Sequence, residues 1–271
     1  RGYLGRARRD QPARPREDEL TYARYGLWHY VLESERHREP YASLHRAGAN
    51  LRGLIRVLLF KRFESSVHAF RETIRRMVRA HEGFITALAN GIVPAGADAQ
   101  VILSDPDYGE EAELLEALAA LPGHYSIADF DVARLREHIE HDLRLLRRIL
   151  ELVAPITPAR DAKLQRLISM LGTRDLRDRK RLIFTQYADT AQYLFDNLNP
   201  GGNRDDIEVL YSSGKSKARV VGRFAPRANP EFRFAAGESE LRTLVATDVL
   251  SEGLNLQDCD TVINYDLHWN P

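Results

Sequence analysis

The hydrophobic period of this chain changes once, at Pro155 and Pro158. Before these prolines, apolar residues recur mostly every three or four positions, the period of an amphipathic helix. After them, short apolar runs alternate with helical patterns, the signature of a parallel α/β sheet. One packing layer cannot serve both patterns. The sequence therefore predicts an α/β fold class in two parts, with an all-helical region before a boundary near 155–160 and a parallel-sheet lobe after it.

Residues 1–16 are rich in Arg, Pro and Gly and read as a flexible entry segment. A helical pattern is expected over Glu17–Glu35, with Leu20, Tyr25, Leu27, Trp28 and Val31 available to pack. A longer one runs from Leu51 to Leu88, with a break near Phe63. Residues 91–108 interrupt the pattern, and a short helix over Glu110–Leu121 is stopped by Pro122-Gly123. The strongest helix spans Asp129–Val153, with Val132, Leu135, Ile139, Leu143, Leu146, Ile149 and Leu152 on one stripe. Beyond Pro158, helices are expected at Ala162–Leu171, Thr190–Leu198 and Ser216–Phe224. Strands are expected at Arg181–Thr185, Ile207–Tyr211, Leu241–Ala246 and Thr261–Tyr265.

Composition excludes several classes. Among 271 residues, 44% are hydrophobic and 29% charged, which suits a globular protein with a core. No apolar run approaches the roughly 18 residues of a membrane span, and no signal peptide is visible. The single cysteine, Cys259, excludes an intramolecular disulfide and a cysteine-rich zinc site, in keeping with a reducing, cytoplasmic setting. The 39 basic and 39 acidic residues cancel, so nucleic-acid binding would need a local basic stripe.

Three groups of residues invite chemistry. Ser213-Gly214-Lys215-Ser216 after a strand, with Asp248 ending a later strand, imitates a P-loop NTPase. A P-loop needs a Gly five residues before Gly214, and that position is Val209. Without that Gly the loop cannot wrap a phosphate. A turn glycine, or phosphate contact of another kind, remains. In Glu137-His138-Ile139-Glu140-His141 the histidines are three apart instead of the four a zincin helix needs, and a solvated charged face is expected, with no metal site. The third group differs in kind. Thr247-Asp248, Ser251–Leu256 and Asp266 collect polar groups at the C-terminal ends of predicted parallel strands, the edge where open α/β sheets hold ligands.

The stretch LVATDVLSEGLNLQDCDTVINYDLHWNP resembles motif V of Swi/Snf-type superfamily-two translocases, followed by that family's Asp-x-x-Trp-Asn-Pro signature at Asp266–Pro271. LIFTQYADTAQYL resembles motif IV, centred on Phe184–Tyr187. YSSGKSKARVVGRFAPRAN resembles the intervening segment. DAKLQRLISML resembles the helix that opens the second lobe, with Lys163 at its characteristic place. LIRVLLFKRFESSVHAF is similar to the segment joining the lobes in bacterial members. Together the matches cover about half the chain.

The resemblance implies a helical inter-lobe or protrusion region over 17–157 and a RecA-like second lobe over 158–271, the helicase C-terminal domain, incomplete. It places Thr247 on a DNA phosphate, with Gln186, Ser213 and Gly214 on the same DNA-facing side. It places Glu252, Gly253 and Asn255 near the ATP cleft. Neither the Walker A and Asp-Glu box of a first lobe nor an arginine-finger motif is recognisable, and Trp269-Asn270-Pro271 reads as a cut through a domain. The expectation is thus a piece of an ATP-dependent translocase or helicase-like enzyme acting on double-stranded DNA. Its ATP and Mg²⁺ would be bound only together with the first RecA-like lobe, in the cytoplasm, at the nucleoid if the chain is bacterial. Alone, the piece is expected to be catalytically incompetent. A non-catalytic helicase-like scaffold and an RNA helicase lobe are the other readings. For the helical region the alternatives are a packing scaffold or a brace on duplex DNA through Lys61, Arg62 and the Arg144, Arg147 and Arg148 group.

Overall fold

The computed structural model describes residues 16–93, 125–211, 216–247 and 255–266, without the side chains of 43, 45–51 and 92. The chain divides into two compact units. One takes the residues up to Lys61 together with Arg71–Ala154. The other joins Arg62–Phe70 to Pro155–Pro271.

Two long helices, α1 (Tyr41–Ser65) and α2 (Val67–Ala89), are separated by Ser66 alone. The Ser66 hydroxyl accepts a hydrogen bond from Ala69 N–H at 3.0 Å, an N-cap that starts α2 anew. The break expected near Phe63 thus lies three residues later. In the helical unit, α2 buries Ile74, Met77, Phe84 and Leu88, and α3 (Val132–Val153) buries Leu135, Ile139, Leu146 and Ile149. Asp131 caps α3 by accepting from Arg134 N–H. The stripe ends on Val153; Leu152, expected on it, is 51% exposed. A two-residue ladder pairs β1 (Ile92–Val93) with β2 (Tyr125–Ser126). The short helix expected over 110–121 lies outside the described residues.

Glu17–Glu35 is not the expected α-helix. It forms two 3₁₀ turns, Ala23–Tyr25 and Leu27–Tyr30, and Val31 then bridges Phe130 in an antiparallel pair. The cause is tertiary. Asp142 of α3 accepts from Thr21 N–H at 2.6 Å, Thr21 Oγ1 at 2.9 Å and Ala23 N–H at 3.1 Å, removing the donors an α-helix would use. Tyr22 between them is left-handed, at φ 55°. The apolar spacing of the segment is still honoured, since Leu27, Tyr30 and Val31 enter the core with Phe84, Leu135 and Ile139.

The expected solvated face of Glu137–His141 is also corrected. His138 and His141 are both buried. His138 Nδ1 meets Tyr30 OH at 2.7 Å, and His141 Nε2 meets Glu19 O at 3.1 Å. On α3 they flank Ile139 and Asp142, so they share the side that receives the 3₁₀ turns. Among the described residues, no group of three or more His, Cys, Asp or Glu is placed to hold a metal.

The second unit is a four-stranded parallel sheet in the order β4-β5-β3-β6, made of β3 (Arg181–Phe184), β4 (Ile207–Leu210), β5 (Thr243–Ala246) and β6 (Thr261–Asn264). Ile183, Val209 and Val245 face α4 (Ala162–Leu171) and α5 (Ala188–Leu198). Leu182, Leu210, Leu244 and Ala246 face α6 (Lys217–Phe224). The chain moves one way from β3 to β4 and back from β4 to β5. Right-handed crossovers then require α5 and α6 on opposite faces, as observed. Asp161 caps α4, accepting from Lys163 N–H at 3.0 Å and Leu164 N–H at 3.1 Å. The expected α/β class is observed, with helices followed by a RecA-like parallel sheet. No helix among the described residues is long and apolar enough to cross a membrane.

Two expected outcomes test this packing. A Cβ at Gly222 of α6 would lie 2.2 Å from the Phe232 ring. Gly222→Ala should therefore cost about 1–3 kcal/mol in denaturant unfolding. In the helical unit, burial pushes the Asp142 carboxyl up to about 7, against the pull of its hydrogen bonds with Thr21 and Ala23. A folded-state pKa above the unfolded one gives stability that is full at low pH and is lost as pH rises through about 7. Compared with Asp142→Asn, the wild-type chain should lose unfolding free energy between about pH 4 and 7 and run parallel to it above that range.

Candidate functional site

The C-terminal ends of the parallel strands carry Thr185 and Gln186 after β3, Tyr211 after β4, Thr247 after β5, and Tyr265 and Asp266 after β6. One carboxylate organises this edge. Asp266 Oδ2 accepts from Thr185 Oγ1 at 2.6 Å, Gln186 N–H at 2.7 Å and Ser65 Oγ at 2.9 Å. Its Oδ1 lies 3.2 Å from Lys163 Nζ. Asp266 is buried, so these bonds replace its hydration.

Lys163 extends the network. Its ammonium donates to Glu64 O at 2.9 Å and Ser65 O at 2.7 Å, the last carbonyls of α1, and lies 4.0 Å from the centre of the Tyr265 ring. A cation at a helix C-terminus satisfies orphan carbonyls and complements the helix dipole. The Ser65-Ser66 break takes part too: both hydroxyls lie 2.8 Å from Thr190 Oγ1 at the start of α5. Arg62, one turn before Ser65, pairs through Nη1 with Asp189 Oδ2 at 2.5 Å and lies 4.4 Å from the Tyr187 ring centre. The α1–α2 junction is thereby fastened to the loop after β3.

The residues expected at the site fall into three groups. Ser213, Gly214, Glu252 and Gly253 lie outside the described residues, as do 267–271. Gln186 and Thr247 sit at the ends of the adjacent strands β3 and β5. The backbone N–H of each is used, by Asp266 and by Leu210 O respectively, whereas their side chains have no hydrogen-bond partner among the described residues. Asn255 is differently engaged. Its amide donates to Ala228 O at 2.9 Å, and its carbonyl accepts from Asn229 Nδ2 at 2.9 Å, which ties the β5–β6 connection to the segment after α6.

Arg62 does not belong to an exposed basic face, since it is 2% exposed. Arg147 and Arg148 are exposed but paired, with Glu82 and Glu151. The signal for Arg62 was present in its spacing, because Ile55, Leu58, Leu59 and Arg62 share the buried face of α1. Ser65, Ser66 and Thr190 carried no comparable signal. Small hydroxyl residues at a helix break are common, and only the fold shows what they meet.

Residues 162–271 match the family model described as helicase conserved C-terminal domain. Over 94 residues the chain is 34% identical to the uncharacterized ATP-dependent helicase YqhH of Bacillus subtilis (strain 168). That alignment covers 35% of this chain and 14% of the relative, so the chain corresponds to a small part of that protein. No solved structure gives a significant match.

Removing the Asp266 carboxylate would take the shared acceptor from the Thr185 hydroxyl and the Gln186 N–H, and one of several partners from Ser65 Oγ and Lys163 Nζ. Asp266→Ala should cost about 3–5 kcal/mol of unfolding free energy. Lys163→Met should cost less, about 1 kcal/mol, because its side chain is 39% exposed and partly screened. A double-mutant cycle in denaturant should show that the two losses are not additive.

Proposed function

We propose that this chain is the helical connector and second RecA-like lobe of an ATP-driven, Swi/Snf-like translocase on double-stranded DNA. The observation that carries the reading is a pair of side chains without a hydrogen-bond partner among the described residues, Gln186 and Thr247, at the C-terminal edge of a sheet within the helicase-matching segment. A hydroxyl and an amide suit DNA phosphates, because they position the backbone without reading sequence. Asp266 supports the same use by fixing the backbone of Gln186. Ser213 and Gly214 complete the proposed DNA-facing side.

ATP and Mg²⁺ would be held by the complete protein, between this lobe and a first RecA-like lobe. Glu252, Gly253 and Asn255 are assigned to the near side of that cleft. The engaged amide of Asn255 suits a part in holding the connection in place better than one in gripping phosphate. Phosphoryl transfer needs Mg²⁺ ligands and a charge-stabilising Arg, and among the described residues no group of three or more His, Cys, Asp or Glu is placed to hold a metal. We assign turnover to the complete protein, which we place in the cytoplasm, at the nucleoid if bacterial.

In the full-length protein, duplex DNA should stimulate ATP hydrolysis about tenfold more than single-stranded DNA or RNA does. Thr247→Val and Gln186→Ala should each raise the duplex concentration for half-stimulation about fivefold, the loss of one hydrogen bond of about 1 kcal/mol. The isolated 271-residue chain should show no DNA-stimulated turnover. Stronger stimulation by RNA would assign the lobe to an RNA helicase instead, and no turnover by the full-length protein would favour a scaffold.

A further inference from the structure

Thr190, in the first turn of α5, is fully buried and meets both serines of the α1–α2 break. Its Oγ1 lies 2.8 Å from Ser65 Oγ and 2.8 Å from Ser66 Oγ. Distance alone leaves the donor of each contact open. A hydroxyl carries one proton and can accept twice, and that decides both.

The Ser65 hydroxyl donates to Asp266 Oδ2 at 2.9 Å. Its one proton is then engaged, so towards Thr190 it can only accept. Thr190 therefore donates to Ser65 and, with its own proton engaged, accepts from Ser66. Ser66 donates to Thr190 and accepts from Ala69 N–H at 3.0 Å, the bond that caps α2. One assignment satisfies every contact. All the protons point the same way, from the α2 cap through Ser66, Thr190 and Ser65 to Asp266 Oδ2.

The same oxygen accepts from Gln186 N–H at 2.7 Å. Thr185 N–H still belongs to the sheet, bonded to Ala246 O at 3.0 Å. Gln186 N–H is the next amide past that ladder, and its acceptor is Asp266. Hydrogen bonds in a chain polarise one another, so each is stronger while the others are made. Ser65, Ser66 and Thr190 are at most 3% exposed, so solvent has no ready access to replace a lost member.

We propose that Thr190 is a positioning residue for the contact of Gln186 with DNA, acting through Ser65 and Asp266, so that the α1–α2 break helps to set the backbone at Gln186. This role rests on the reading of the strand-end edge as a DNA surface. Thr190 is buried and touches no DNA itself.

Two measurements on the full-length protein separate the hydroxyl chain from that reading. The first is hydrogen exchange at single amides, without DNA or nucleotide. Thr190→Val keeps the shape of the side chain and removes both hydroxyl contacts. It should speed exchange at Gln186 N–H at least about threefold, while Thr185 N–H keeps its wild-type rate. Thr190→Ser returns the hydroxyl and should return the protection. Ser65→Ala removes the link to Asp266 and should also speed exchange at Gln186 alone; it carries the same test if Thr190→Val does not fold. The second measurement is the duplex concentration for half-stimulation of ATP hydrolysis. Thr190→Val should raise it about threefold, less than loss of the Gln186 side chain does, and Thr190→Ser should restore it. Wild-type exchange at Gln186 in these variants overturns the proposal. So does equal acceleration at Thr185 and Gln186, which is general loosening of the unit. So does an unchanged half-stimulation in Thr190→Val where Gln186→Ala raises it. If Gln186→Ala itself has no effect, the DNA reading falls, and exchange at Gln186 still decides whether the hydroxyl chain holds that amide.

Discussion

Asp266 accepts hydrogen bonds from three separate parts of the second unit: the end of α1, the start of α4 and the loop after β3. These parts are far apart in sequence, with Ser65 and Asp266 separated by 201 positions. A buried carboxylate that accepts four donors is tolerable only when all four are present, and each donor is in turn oriented by it. The arrangement of the α1–α2 junction against the strand ends therefore depends on this one residue. Arg62–Asp189 and the Ser65–Thr190–Ser66 hydroxyls reinforce the same junction from the side of α5.

The sheet divides its polar residues between two edges with different chemistry. At the C-terminal edge a carboxylate accepts four hydrogen bonds, and the Thr247 hydroxyl and the Gln186 amide are among the side-chain groups without a hydrogen-bond partner among the described residues. At the N-terminal edge a guanidinium is buried, with its Nη1 bonded to Leu171 O and Leu176 O. Parallel strands place both sets without further design, because every strand start lies at one edge and every strand end at the other.

The helical unit reaches order in a similar way, through buried polar residues on α3. Asp142, His138 and His141 each meet a group from residues 19–30. Together they hold that segment in 3₁₀ turns against the core, although its apolar spacing suited an α-helix. A hydrogen-bonding carboxylate that takes the N–H groups of Thr21 and Ala23 competes directly with helix formation, and here the competition goes to the tertiary contact.

Periodicity determined the class of each region from sequence alone. The four strands and the helices α3 to α6 lie within a few residues of their expected bounds, because burial on one face forces a spacing of two or of three to four. The polar cluster at the strand ends was equally legible, since Asp266 and Thr247 directly follow apolar runs. What the sequence did not determine is which polar groups meet. Arg62 looked like a surface charge and is buried against Asp189. His138 and His141 looked solvated and are packed. The Asn255 amide meets the carbonyl of Ala228. Hydrogen-bond partners tens to hundreds of positions apart have no common period to reveal them, so only the tertiary structure decided these pairings.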